Sequence, residues 1–133
     1  MKNFPFISLG HSLLLLRVCV SILFIAHADV RVANGTIGQF ADSLSNKGFA
    51  MSIAIVYAIT LFEIVGGIIM ALGYFTKWLA LGYILMLAVG IIIIHAEFGW
   101  FVGEHGTGGM EYSVALIFAL IVIAAGDKTK SVD

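Results

Sequence analysis

The chain has 133 residues, of which 61% are hydrophobic and only 11% are charged. A typical soluble domain carries about 25% charged residues, so the composition indicates a membrane protein, and the length indicates a single domain, residues 1–133. The formal net charge of −1 excludes a strongly basic surface for nucleic acid. Cys19 is the single cysteine, which excludes an internal disulfide and thiol–disulfide exchange by this chain alone.

Four apolar stretches are long enough, or nearly long enough, to cross a hydrocarbon core of roughly 30 Å as helices. They are residues 9–28, 49–72, 78–96 and 110–125. The last stretch is short, so it either tilts little or extends back through Thr107. The predicted fold class is therefore all-α, a polytopic membrane protein built as a four-transmembrane-helix bundle.

The first stretch also resembles a secretory signal peptide. Lys2 precedes an apolar region, and Ala26–Ala28 resembles a cleavage site with two small residues. However, Arg17 interrupts the apolar region, which is uncharged in signal peptides. We therefore predict that this segment is a retained helix.

The connections between the spans differ in length and character. The first, Asp29–Gly48, is long enough for a short surface helix around Ile37–Leu44. The second, Gly73–Lys77, is tight and is expected to join two antiparallel neighbours. The third, Glu97–Gly109, is rich in glycine and aromatic residues, which suit an interfacial anchor or a re-entrant turn. An excess of lysine on the side of the two termini predicts that both are cytoplasmic.

One charge of each sign lies inside the spans: Arg17 near the middle of the first and Glu63 near the middle of the second. A charge inside hydrocarbon costs at least ~2.5–3.5 kcal/mol, so such residues pair, line a cavity or take part in chemistry. Because the two spans are predicted to be antiparallel neighbours, we expect an Arg17–Glu63 ion pair near the midplane. The pair either fixes the helix register or forms the inner wall of a ligand or proton path.

Three more ionisable groups are expected at the outer ends of the spans. His27 ends the first span, His95 ends the third, and Glu111 begins the fourth. They are candidates for ligand binding or proton relay, because histidine exchanges protons near neutral pH. The structural alternatives are interfacial histidines and a carboxylate that stabilises a helix N-terminus. His11 and His105 have no partner suggested by position and are expected to face solvent or the interface.

Imidazole and carboxylate groups also suit zinc, iron or copper. No local ligand spacing such as HxxxH or ExxH occurs in the chain, so no metal ligands are assigned. A metal ion held by His27, His95 and Glu111, with or without Glu63, and a haem held by His27 and His95 are therefore minor alternatives as cofactors.

Elements from about Leu13 to Gly126 resemble the DoxX family in their order and spacing. They are Leu14–Arg17, Phe24, His27, Arg31, Glu63–Gly67, Leu72–Lys77, His95, Phe98–Phe101 and Gly108–Tyr112. The chain departs from the family pattern at Ala28, where glycine is common, and at Arg31, where lysine is common.

The resemblance implies a four-helix inner-membrane protein associated with redox processes. Relatives include a membrane subunit of thiosulfate:quinone oxidoreductase and members of oxidative-stress complexes. The leading hypothesis is a redox-associated subunit that binds a quinone-like ligand in an intramembrane cavity. In it, His27, His95 and Glu111 would contact the ligand or relay protons, and Arg17 and Glu63 would set the polarity of the inner wall.

The expected partners are the lipid bilayer, a redox protein that exchanges electrons, and further copies of the chain. Two alternatives stay open. The chain could be a non-enzymatic membrane anchor or assembly partner for a redox enzyme. It could also be a small membrane protein that handles metal ions or solutes. The sequence does not decide whether the protein is an enzyme.

Overall fold

The computed structural model describes residues 6–102 and 108–127. Within these residues the chain forms five α-helices and one 3₁₀ helix, and no strand. The elements are α1 (Leu9–Ala33), α2 (Ile37–Asn46), α3 (Ser52–Leu72), α4 (Thr76–Ile93), the 3₁₀ helix (His95–Phe98) and α5 (Glu111–Gly126). The predicted all-α fold class is therefore confirmed.

Three of the helices, α1, α3 and α4, are long and apolar enough to cross a membrane. The fourth apolar helix, α5, has 16 residues and is about 24 Å long. It begins at Glu111, and the described residues just before it, Gly108–Met110, are not helical. Thr107 and His105 lie outside the described residues. The chain is thus a polytopic helical membrane protein with three helices of spanning length and a shorter fourth.

The helix ends differ from the prediction mainly at α1. The predicted first span ended at Ala28, but α1 continues to Ala33. It stops where Gly35 takes a left-handed conformation (φ 64°), which glycine adopts without steric cost and which commonly ends helices. The third span was predicted to reach Ala96, whereas α4 ends at Ile93. The short helix expected around residues 37–44 is confirmed as α2.

The chain forms two compact units, and each is described by itself. One unit is Ser21–Tyr74, which contains the C-terminal part of α1 together with α2 and α3. The other contains the described residues of Met1–Val20 and Phe75–Asp133, with α4 and α5. The prediction of one domain over the whole chain stays a prediction.

In the unit Ser21–Tyr74, α1 and α3 approach closely at a glycine. A Cβ atom at Gly67 would lie 2.7 Å from Cγ1 of Ile25 and 3.2 Å from the carbonyl oxygen of Ser21. Small residues permit this kind of helix contact in membranes. The face that α3 buries repeats every three to four residues. Its buried residues are Val56, Thr60, Glu63, Gly66, Gly67 and Met70.

The remaining helix of this unit, α2, packs against α3 and buries Ala41 and Leu44. Its other residues are mostly polar and exposed. This amphipathic helix therefore covers part of α3 with its apolar face and leaves a polar face outside.

Substituting Gly67 with alanine is expected to destabilise the protein by about 1–3 kcal/mol, because the added methyl group overpacks against Ile25 and a backbone carbonyl. Thermal unfolding in detergent measures the effect. Gly90→Ala in α4 is the matched control, since among the described residues no atom lies within 4 Å of a Cβ built there. Equal unfolding temperatures for the two variants would contradict the close contact of α1 with α3.

Candidate functional site

The centre of the site is a buried ion pair. Glu63, which is 3% exposed, lies near the middle of α3. Its Oε2 atom is 2.6 Å from Nη1 of Arg31, near the end of α1. The same Nη1 donates a hydrogen bond of 2.8 Å to the hydroxyl of Thr60, one turn before Glu63. Because two charges lose their hydration here, the pair is stable only when these hydrogen bonds compensate for the loss.

Further contacts join Arg31 to α2 and to the turn before it. The Phe40 ring of α2 lies against the guanidinium, with 5.1 Å from Cζ to the ring centroid, a cation–π contact. The backbone carbonyl of Arg31 accepts a hydrogen bond of 3.2 Å from the hydroxyl of Thr36, which precedes α2. Arg31 thus connects three helices: its own, α2 and α3.

An open pocket of about 310 Å³ lies between the end of α1 and α2. Arg31 lines it, and His27 lies one helical turn before Arg31 on the same helix. Among the described residues, the hydrogen bonds of the guanidinium all leave from Nη1, so the N–H groups on Nε and Nη2 are available as donors. The pocket is lined by His27, Val30, Arg31, Thr36, Gln39, Phe40 and Ser43.

Arg31 belongs to this candidate site but was not among the predicted site residues. It was placed in the outer connection, but it is helical and 8% exposed. Its burial follows from its position, because Phe24, Ala28 and Arg31 are spaced by four and three residues and form one buried stripe on α1. This spacing was the available signal. His27, by contrast, was among the predicted site residues, and it lines this pocket; its role in ligand binding or proton relay stays a prediction.

The other predicted site residues belong to the second unit. Arg17 is half-buried on the N-terminal part of α1. His95 is half-buried at the start of the 3₁₀ helix, just after α4. Glu111 is the first residue of α5. The Arg17–Glu63 pair, and a shared site of His27, His95 and Glu111, therefore stay predictions.

Glu111 has a local structural contact. Its Oε1 atom accepts a hydrogen bond of 3.0 Å from the backbone N–H of Val102. Its own backbone N–H donates to the carbonyl of Trp100 at 3.1 Å, and Met110 donates to Gly99 at 3.2 Å. These bonds tie the start of α5 to the segment after the 3₁₀ helix. They support the structural alternative for Glu111, in which the carboxylate holds a helix start.

Within residues 6–102 and 108–127, no group of three or more His, Cys, Asp or Glu side chains is arranged to hold a metal ion. The single thiol of the chain, Cys19, is exposed on α1.

Fold and site together define an all-helical membrane protein with a buried arginine–glutamate pair beside a polar pocket. A family model described as DoxX matches residues 12–96, well over half of the chain, and the protein therefore belongs to the DoxX family. The matched region includes Arg17, His27, Arg31, Glu63 and His95. No curated protein and no solved structure matches the chain.

Proposed function

We propose that this DoxX-family protein is a redox-associated membrane subunit that binds a quinone-like ligand in the pocket between α1 and α2. One observation carries the proposal. The guanidinium of Arg31 is held by Glu63 and Thr60 through Nη1, and Arg31 lines the same pocket as His27. A preorganised donor beside a titratable side chain suits a ligand with acceptor oxygens and exchangeable protons.

The chemistry of the pocket favours an uncharged head group over an anion. The positive charge of Arg31 is already balanced by Glu63, so little net attraction remains for a phosphate or a carboxylate. The polar lining of Gln39 and Ser43 is joined by the apolar side chains of Val30 and Phe40. Such a mixture suits a carbonyl-bearing ring, and about 310 Å³ lies at the lower end of ligand pocket sizes.

Each pocket residue then has a defined role. Arg31 donates a hydrogen bond to a carbonyl oxygen of the head group, and His27 exchanges a proton with it. His95 and Glu111 stay candidates for ligand contact or proton relay in this proposal, and Arg17, with Glu63, is proposed to set the polarity of the inner wall. A partner protein exchanges the electrons, and the chain lies in the inner membrane with both termini in the cytoplasm.

Replacing His27 with alanine is expected to weaken binding of decylubiquinone about tenfold, the loss of roughly one hydrogen bond. Equilibrium binding to the protein in lipid nanodiscs measures the change. His27 is exposed, so the variant is expected to fold. His11→Ala is the matched control, because His11 is an exposed histidine whose Nδ1 contacts the hydroxyl of Ser8, away from the pocket. Unchanged binding in His27→Ala, or no binding in the wild type, would contradict the proposal.

The second candidate function is a non-enzymatic membrane anchor for a redox enzyme. It is favoured by the observation that the Arg31–Glu63 pair and the close contact at Gly67 hold α1 against α3 directly, which suits a structural role for these residues. A wild-type protein that binds no quinone but co-purifies with a soluble redox enzyme would support this function. Metal analysis of the purified protein distinguishes the quinone-binding and anchor functions from a metal-handling role.

A further inference from the structure

The first observation concerns the level at which α1 ends. Gly67 faces Ile25 across the contact between α1 and α3. Gly67 is 15 residues, about 22 Å, from the start of α3 at Ser52. Ile25 is only eight residues, about 12 Å, from the end of α1 at Ala33. For antiparallel helices, the end of α1 therefore lies about 10 Å short of the start of α3, measured along the helix axis from the Gly67–Ile25 contact.

The second observation concerns the outward face of α3. This face is apolar and exposed along the whole helix, and 21 residues span about the thickness of a hydrocarbon core. From its length and composition, α3 is expected to be covered by lipid up to the level of its first turn. The exposed residues are Ile53, Tyr57, Leu61, Val65, Ile68 and Leu72.

The third observation is the composition of α2. Because α1 ends below the start of α3, the turn after α1 and the beginning of α2 lie at a level that lipid reaches on the opposite face of α3. Yet the outward face of α2 is polar, and it includes a carboxylate, Asp42. Exposing such groups to hydrocarbon is unfavourable, and polar groups at membrane depth face water or protein. The exposed polar residues of α2 are Gln39, Asp42, Ser43, Ser45 and Asn46.

We propose that the pocket and the polar face of α2 form a water-filled notch in the membrane-embedded surface of the protein. The notch admits water, small polar solutes and protons from the side of the membrane on which α2 lies, down to His27 and Arg31. It ends at the Arg31–Glu63 pair, whose burial marks its floor. The inference goes beyond the proposed function, because it holds whichever ligand the pocket binds.

Cysteine accessibility tests the notch. In a Cys19→Ser background, Gln39→Cys and Ser43→Cys are placed in proteoliposomes and treated with a charged, membrane-impermeant methanethiosulfonate. Both are expected to react within about tenfold of the rate of Asn46→Cys, at the end of α2, because the thiol must meet water to ionise and react. The lipid-facing control, Leu61→Cys, is expected to react at least about a hundredfold more slowly.

Two results would overturn the proposal. Gln39→Cys and Ser43→Cys could react as slowly as Leu61→Cys in folded protein, which would mean that lipid or protein seals the region. Ser43→Cys could instead form an efficient disulfide with a second copy of the chain, which would mean that another copy covers the face. Quinone binding is measured separately, so the notch and the proposed ligand can fail independently.

Discussion

Replacing Arg31 with methionine is expected to destabilise the protein by about 3–5 kcal/mol, because the buried carboxylate of Glu63 then loses the cation that lies 2.6 Å from it. The hydroxyl of Thr60 also loses a charged donor. Unfolding of the purified protein in micelles, followed by circular dichroism against temperature or SDS, measures the loss.

The double variant Arg31→Met with Glu63→Met is expected to recover most of this stability, because two apolar side chains replace both charges. Arg17→Met is the comparison within α1, and its cost is expected to be smaller, since Arg17 is only half-buried. If Arg17→Met costs as much as Arg31→Met and Glu63→Met rescues it, the predicted Arg17–Glu63 pair is the dominant one. A double variant no more stable than Arg31→Met would contradict the account of the pair.

Gly109→Ala is expected to destabilise the protein by about 3 kcal/mol. A Cβ atom at Gly109 would lie 2.5 Å from the carbonyl oxygen of Trp100 and in closer conflict with that of Phe101. Both obstacles are backbone, and the Trp100 oxygen already accepts the N–H of Glu111, so neither can move without breaking the start of α5. Two measurements report the effect: the unfolding temperature in detergent and the rate of proteolysis in the segment before α5.

The neighbouring residue provides the control for this substitution. A Cβ built at Gly108 has no atom of the described residues within 4 Å, so Gly108→Ala is expected to leave the unfolding temperature unchanged. The two variants differ by one position and share the same added methyl group. If Gly109→Ala had the same unfolding temperature as Gly108→Ala, the close approach of Gly109 to the backbone of Trp100 and Phe101 would be wrong.

Most of the fold was predictable from hydropathy and length. The apolar stretches that became α1, α3 and α4 are long and uninterrupted, and bilayer thickness sets how long a spanning helix must be. The short helix α2 was also predicted. The end of α1 was not, because the charged residues Asp29 and Arg31 favour a connection outside the first span. A charged residue with a buried partner does not mark such a boundary, and Arg31 is one.

The site was predictable only in part. Glu63 and His27 were identified because a carboxylate inside an apolar span and a histidine near a span end are uncommon and costly. The contact of Arg31 with Glu63 depends on the register between α1 and α3, which the contact of Gly67 with Ile25 sets. The predicted depth of each residue in the membrane was counted from the ends of its span. This count assumes that α1 and α3 begin and end at the same levels. Here α1 ends about 10 Å short of the start of α3, which brings Arg31, beyond the predicted end of the first span, to the level of Glu63.

The central claim is that the buried pair forms the floor of a ligand pocket as well as a helix contact. Decylubiquinone binding to the double variant Arg31→Met with Glu63→Met, in nanodiscs and after confirming that it folds, tests this claim most directly. We expect binding at least about tenfold weaker than in the wild type, because the fixed donors of Arg31 are gone while the fold remains. Wild-type affinity in the folded double variant would contradict the claim and leave the pair with a structural role alone.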